Sequence, residues 1–168
     1  MSNKIVRRLL ALAMLTAAGL DAANARAESL AARGKYLVGI MDCTGCHSTG
    51  ALTGKPEAAK FLAGSEIGFQ IPGLGIFYPP NLTPDVQTGL GTWSEQDIAT
   101  ALRTGVRPDG RELAPAMPWR SYASLSDADV QAVAAYLKTL PPVSHAVPPL
   151  TGASEHPPAP YFTVVMPK

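Results

Sequence analysis

The 168-residue chain has only two cysteines, three histidines and 16% charged residues. The cysteines are Cys43 and Cys46, and the lack of a second Cys/His cluster excludes a four-ligand zinc site. The longest apolar run, residues 9–20, is too short for a membrane-spanning helix, which needs about 20 residues. A net charge of +1 provides no basic excess of the kind that binds nucleic acid or an anionic membrane surface. A chain of this length with 46% hydrophobic residues suits one globular domain of ordinary size.

The N-terminal residues 1–27 predict a secretory signal peptide. Three basic residues within positions 4–8 precede the apolar run, and Ala25-Arg26-Ala27 has the small-x-small pattern of a cleavage site. We expect Glu28 to start the mature protein, with 10 basic and 12 acidic residues, a net charge of −2 and no transmembrane segment. A retained anchor is the alternative. The signal predicts that the protein resides in the periplasm.

The two cysteines belong to the motif Cys43-Thr44-Gly45-Cys46-His47. C-x-x-C-H is the attachment motif of c-type haem, in which two thiols bind the porphyrin covalently and the histidine supplies the proximal ligand of the iron. We therefore predict one covalently bound haem c, held by Cys43, Cys46 and His47. A C-x-x-C pair is also the redox motif of thioredoxin-like folds. That interpretation requires strands around the motif, and the flanking sequence predicts helices.

Apolar periodicity and capping residues predict three helices. The first covers residues 29–41 and leads directly into the motif. The second opens at Ser94, which has an acid in the capping-box position, and stops at Gly105. The third opens at Ser126 with the same pattern and ends before Pro141. The predicted domain extends over residues 28–142.

The rest of the chain predicts loops. Residues 48–92 have little helical periodicity, and the segments on either side of Pro72-Gly73 could form a short β-hairpin. Residues 143–168 form a separate Pro-rich tail with no periodicity. This tail could be disordered, or it could pack on the domain or on a partner.

The second axial ligand of the iron decides between electron transfer and ligand binding. The candidates are the methionines and histidines of the mature chain other than His47: Met41, Met117, Met166, His145 and His156. Met41 lies two residues before Cys43, on the proximal side. Met117 lies between Pro115 and Pro118 in a stiff loop that separates the second and third helices, so we predict its thioether as the distal ligand. A buried core methionine is the alternative.

Four arginines fall within residues 103–120: Arg103, Arg107, Arg111 and Arg120. They either line a solvated loop or pair with the haem propionates, which planar guanidinium groups suit. Three nearby aromatic residues, Trp93, Trp119 and Tyr122, either contact the haem or pack in the core.

The combination of these motifs resembles the class I cytochromes c. The segments that resemble this family are Gly34–Leu37, Cys43–His47, Asn81–Asp85, Gly110-Arg111 with Pro115–Pro118, and Ala134–Leu137. The chain is most similar to the cytochrome subunits that accept electrons from periplasmic alcohol, gluconate or aldehyde dehydrogenases. The similarity covers about residues 29–142. Those subunits often carry three haem motifs, whereas this chain has one.

The resemblance implies an all-α class I cytochrome c fold with long loops around one covalent haem, and a possible short β-hairpin insertion. It implies that the first and last helices cross where Gly34 or Gly39 meets Ala135 and Tyr136. It also implies that a carbonyl near Pro79-Pro80 accepts a hydrogen bond from Nδ1 of His47, which would orient the ligand.

We therefore expect a periplasmic mono-haem electron carrier with no catalytic residues. It would take single electrons from a dehydrogenase and pass them to a membrane cytochrome or terminal oxidase. The alternative is a haem enzyme or gas sensor with a displaceable sixth ligand. A third possibility is a structural subunit that docks through its Pro-rich tail.

Overall fold

The computed structural model describes residues 30–167, so the predicted signal peptide lies outside the described residues. The helices are α1 (30–40), α2 (Cys43–His47), α3 (Glu95–Thr104), α4 (Trp119–Tyr122) and α5 (Asp127–Thr139). The strands are β1 (Gly68–Ile71), β2 (Gly75–Phe77) and β3 (Tyr161–Phe162). Single 3-10 turns lie at Ala51–Thr53 and Ala58–Lys60. No helix within residues 30–167 is long and apolar enough to cross a lipid bilayer.

Helix α3 begins and ends where the sequence predicts. The Ser94 side chain accepts a hydrogen bond from the backbone N–H of Asp97, and the Asp97 carboxylate accepts one from the Ser94 N–H. This reciprocal capping box satisfies donors that the first turn leaves free. At the other end, Gly105 adopts a left-handed φ of 71°. Helix α5 begins after Ser126, which caps the N–H of Asp129.

The hydrophobic core lies where α1, α3 and α5 meet. Its buried members are Leu37, Val38, Leu62, Leu90, Ile98, Ala99, Leu102, Val130, Ala132, Val133, Ala134, Tyr136 and Leu137. We call these residues the core cluster. Most of them come from helical positions three or four apart, which fall on one face of a helix. The core cluster therefore fixes the helices around which the loops are arranged.

The crossing of α1 over α5 depends on Gly34. A Cβ atom at this position would lie 2.6 Å from the carbonyl carbon of Ala132 and 2.6 Å from Cβ of Tyr136. The nearest atoms thus confirm the part of Tyr136 and add Ala132, which is fully buried, whereas the part of Ala135 stays a prediction. Gly39 takes no part, since a Cβ atom there would meet no described atom within 4 Å.

The predicted hairpin is confirmed. Strands β1 and β2 pair antiparallel, with Phe69 opposite Phe77, and the turn contains Gly73 at a φ of 77°. The all-α prediction omits a further strand. Strand β3 comes from the Pro-rich tail and pairs parallel to β1, with Phe69 opposite Phe162, so the sheet order is β2-β1-β3.

The Pro-rich tail packs along the domain over residues 143–162, which we call the strap. At its start, the Val143 carbonyl accepts a hydrogen bond of 2.8 Å from the Asn81 side chain. Further along, Thr151 and Ile76 exchange two backbone hydrogen bonds of 2.8 and 3.1 Å. The strap therefore runs across the long loop that connects α2 to α3.

Candidate haem site

The two cysteines lie on one side of the short helix α2. Residues three apart are neighbours on a helix surface, so the Cys43 and Cys46 side chains are presented together. Asp42 precedes them in the left-handed region at a φ of 52°, and its carboxylate folds over Gly45. A Cβ atom at Gly45 would lie 2.8 Å from the Asp42 carboxylate carbon. Because the Asp42 side chain can rotate away, this contact does not by itself require glycine at position 45.

Both thiols are free. Burial is the main cause that raises the pKa of Cys43, to about 11, and it also raises the pKa of Cys46. Nearby Asp42 acts in the same direction on both. The raised pKa values therefore favour the neutral thiol form of both groups.

His47 is buried, and its orientation is defined by one hydrogen bond. Nδ1 lies 2.8 Å from the Pro80 carbonyl oxygen, the contact that the resemblance implies. A carbonyl only accepts, so Nδ1 must carry the proton and donate it, which leaves the lone pair on Nε2. Burial lowers the pKa of His47, and the Pro80 contact opposes this shift. The side chain is therefore a neutral imidazole with one nitrogen available for a metal.

The loop that supplies Pro80 is tied to the residues around His47. The Gly64 N–H donates to the His47 carbonyl at 2.8 Å, and the Ser65 N–H donates to the Pro79 carbonyl at 3.0 Å. The orientation of His47 is therefore set by two segments that are far apart in sequence.

Met117 lies in the loop between α3 and α4, as predicted. Its N–H donates to the Ala114 carbonyl at 2.9 Å, and its carbonyl accepts from the Trp119 N–H at 2.8 Å. These tight turns match the stiffness expected from the flanking prolines. The Met117 side chain is partly buried and packs against the core cluster, as does Cys43.

Tyr122 connects the methionine loop to the cysteine segment. Its hydroxyl donates to the Met41 carbonyl at 3.0 Å. Burial raises the pKa of Tyr122 to about 12, and the neighbouring Cys43 and Cys46 contribute to the shift. The structure thus places the end of the methionine loop beside both thiols.

The other candidate ligands occupy different surroundings. Met166 is 77% exposed near the end of the tail, and His156 is also exposed. His145 is held by a contact of 2.8 Å between Nδ1 and the carbonyl of Ala63, the residue before Gly64, whose N–H bonds to the His47 carbonyl. His145 therefore belongs to the same side of the site as His47. Met41 is partly buried and packs against the core cluster. The role of Met117 as the distal ligand stays a prediction.

Comparison with known families identifies the fold that this site belongs to. A family model described as cytochrome c matches residues 31–141. The chain belongs to the cytochrome c family. The matched range contains the C-x-x-C-H motif, the Pro80 loop and Met117, so the domain implies haem c as its cofactor.

Several curated proteins are similar to this cytochrome. It is 40% identical over 124 residues, 73% of its length, to the cytochrome c subunit of alcohol dehydrogenase (quinone) from Gluconobacter oxydans. It is 36% identical over 155 residues, 92% of its length, to the gluconate 2-dehydrogenase cytochrome c subunit from Pantoea cypripedii. A diheme cytochrome c-type protein from Cereibacter sphaeroides is 35% identical over 119 residues, 71% of the chain. These matches cover 24%, 31% and 39% of the respective relatives.

The lining of a pocket of about 210 Å³ indicates whether the residues of this cytochrome fit a haem. It is lined by Pro80, Arg107, Arg111 and strap residues 147–150, among others. The Nε atom of Arg107 is buried with no hydrogen-bond partner among the described residues. Burial and the charge of Arg107 lower the pKa of Arg111. Asp109 lies 3.0 Å from Arg107 and offsets only part of the positive charge of the two guanidinium groups. The pocket therefore suits the carboxylates of a haem, because guanidinium groups bind carboxylates well.

The other two arginines of the 103–120 segment have partners elsewhere. Arg103 forms an ion pair with Asp127. Arg120 lies over the Trp119 ring, 4.5 Å from its centroid. Arg107 also lies 5.5 Å from the centroid of the Trp93 ring, which holds its side chain in place. The structure therefore selects Arg107 and Arg111 as the residues that would hold the propionates.

Sequence reasoning missed two features of this site. One is the hydrogen bond between Tyr122 and Met41, which joins residues 81 apart and therefore leaves no local pattern in the sequence. The other is the contribution of strap residues 147–150 to the arginine pocket. Both join segments that are distant in the chain, and local patterns do not record such pairs.

Proposed function

We propose that this cytochrome is a periplasmic electron carrier with a single covalent haem. Haem c, when bound, supplies an iron that gains and loses one electron. Cys43 and Cys46 would anchor the group, His47 and Met117 would occupy the two axial positions of the iron, and the protein would have no catalytic residues. Methionine ligation favours the reduced iron relative to histidine and so raises the reduction potential.

The observation that carries the proposal is the arrangement of His47 beside two free thiols. The Pro80 carbonyl commits Nδ1, so the buried imidazole has only Nε2 to offer. A residue held in this way is suited to permanent ligation of a metal. The same bond raises the basicity of the ligating nitrogen.

A dehydrogenase is the proposed electron donor, and a membrane cytochrome or terminal oxidase the proposed acceptor. The support for the donor is that the relatives include cytochrome subunits of alcohol, gluconate and fructose dehydrogenases. The chain spans less than two fifths of the length of each of these relatives, so its own donor and complex belong to the proposal. Reduction of the holoprotein by a purified quinone-dependent alcohol or gluconate dehydrogenase, followed by stopped-flow absorbance, tests the donor directly.

Substitution of Met117 tests the axial assignment. We expect the ferrous wild-type holoprotein to bind CO poorly, because both axial positions are filled, whereas Met117→Ala opens one position and binds CO readily. Met166→Ala is the matched control, since it removes a methionine that is 77% exposed, and it should behave like the wild type. The measurements are absorption spectra of the ferric and ferrous forms and a CO titration.

Two outcomes would contradict the proposal. A high-spin wild-type protein that binds CO readily would indicate a haem enzyme or gas sensor instead. A pyridine haemochrome assay that gives more than one haem per chain would contradict the single-haem assignment. Export is tested on the same preparation, because N-terminal sequencing of the periplasmic protein should begin at Glu28.

A further inference from the structure

The methionine loop is anchored to α3 at one end. The Trp119 ring packs on Gly105, where a Cβ atom would lie 2.5 Å from Cδ2 of the indole. The Leu113 N–H donates to the Gly105 carbonyl at 2.7 Å. These contacts fix the loop relative to α3. They do not fix its distance from the thiols.

Among the hydrogen bonds of residues 30–167, the one that ties the loop to the cysteine segment is made by Tyr122. Helix α4 follows Met117 after a single proline, so Tyr122 at its end lies only five residues after the methionine. A hydrogen bond made by Tyr122 therefore restrains the position of Met117. The Tyr122 hydroxyl donates to the Met41 carbonyl at 3.0 Å. Met41 lies at the C-terminal end of α1, just before Asp42 turns into the left-handed region. Carbonyls at this position lack helical partners, so the hydroxyl satisfies one of them.

We propose that Tyr122 is a positioning residue that holds the Met117 loop over the haem attachment segment. The inference rests on the proposed function, because it assumes that Met117 is the distal ligand. The partly buried hydroxyl joins the residue two before Cys43 to the helix that follows Met117. Loss of this bond frees the loop to move away from the thiols, which makes the methionine easier to displace.

Tyr122→Phe in the holoprotein tests this role, because phenylalanine keeps the ring and removes only the hydroxyl. Thr139→Val is the matched control. Its hydroxyl also donates to a backbone carbonyl, that of Tyr136 at 2.7 Å, but it lies at the C-terminal end of α5, outside the pocket of Arg107 and Arg111. Both variants should lower the thermal unfolding midpoint by similar amounts, since each loses one hydrogen bond of the same kind.

The discriminating measurement is displacement of the methionine by imidazole in the ferric protein, followed through the red charge-transfer band of methionine-ligated haem. We expect Tyr122→Phe to bind imidazole about 2- to 10-fold more tightly than the wild type, the range that one neutral hydrogen bond supports. Thr139→Val should bind imidazole like the wild type.

The outcomes separate this inference from the proposed function. If the wild type shows the methionine band and Tyr122→Phe binds imidazole like the wild type, the tether is wrong and the carrier proposal stands. An equal gain in both variants also overturns the tether, because the effect would then come from general destabilisation. If the wild type lacks the band, Met117 is not the ligand and both proposals fail.

Discussion

At the residue scale, Arg107 and Arg111 bring two guanidinium groups to one pocket, and the ion-pair partner that the described residues supply is Asp109, 3.0 Å from Arg107. The Nε atom of Arg107 is buried with no hydrogen-bond partner among those residues. Burying such a group is unfavourable unless an anion compensates. The pocket is therefore best explained as one that is completed by the carboxylates of the cofactor.

Arg107→Gln should lower the reduction potential of the holoprotein. A positive charge beside the propionates favours the less positive, reduced iron. Removal of this partly screened unit charge should therefore make reduction of the iron less favourable by on the order of 1 kcal/mol. Potentiometric titration measures the effect. Arg103→Gln is the control, because it removes the same charge from an ion pair on the other side of α3. Equal shifts in the two variants would show that net charge, and not the pocket, sets the change.

At the element scale, the contact between α1 and α5 explains why two glycines in one helix have different roles. Gly34 faces the backbone of α5, whereas Gly39 faces open space. Both weaken the intrinsic helix propensity by up to about 1 kcal/mol relative to alanine. At Gly34 alone of these two positions, close packing offsets the lower helix propensity, because the missing side chain lets the helices approach.

Gly34→Ala should therefore destabilise the protein and Gly39→Ala should stabilise it. The new methyl group at Gly34 meets the Ala132 carbonyl, which is helix backbone and cannot rotate away. We expect a net loss of about 1–3 kcal/mol, the usual cost of overpacking. Gly39→Ala should gain up to about 1 kcal/mol. Guanidinium unfolding of both holoproteins measures the two effects, and a change of the same sign in both would contradict the crossing.

At the scale of the whole molecule, the strap makes the Pro-rich tail part of the domain. Asn81 and Thr83 are almost fully buried, and both bond to Val143 at the start of the strap. The same loop supplies Pro80, which orients His47. The tail thus supports the proximal side of the site, in addition to any contact with a partner.

Removal of the strap should destabilise the domain. A chain that ends after Pro142 loses the Asn81, Ile76 and Tyr78 contacts with the strap, and we expect a loss of about 2–5 kcal/mol from several hydrogen bonds of about 1 kcal/mol each. A chain that ends after Thr163 keeps these contacts and should unfold like the wild type. Denaturant unfolding measures both. If the longer deletion leaves stability unchanged but slows reduction by the donor, the tail serves docking and not folding.

The helices and the haem motif were predictable because their signals are local. Ser94 with Asp97 and Ser126 with Asp129 are capping patterns within four residues, and the structure shows the corresponding bonds. Strand β3 was not predictable, because Tyr161 and Phe162 form a strand only through pairing with β1. Similarly, the contact of Gly34 with Ala132 depends on the angle at which α1 crosses α5, which no local pattern encodes.

The sequence by itself determined the cofactor chemistry, since two thiols and an imidazole at C-x-x-C-H spacing are held together by the chain and need no distant partner. The prolines around Met117 also led to its prediction as the distal ligand. Only the tertiary structure decided which carbonyl orients His47, which arginines share a pocket, where the tail lies and how Tyr122 ties the methionine loop to the thiols. The physical reason is that these are hydrogen bonds and charge contacts between segments 30 to 80 residues apart, and their partners meet only after the core cluster has packed.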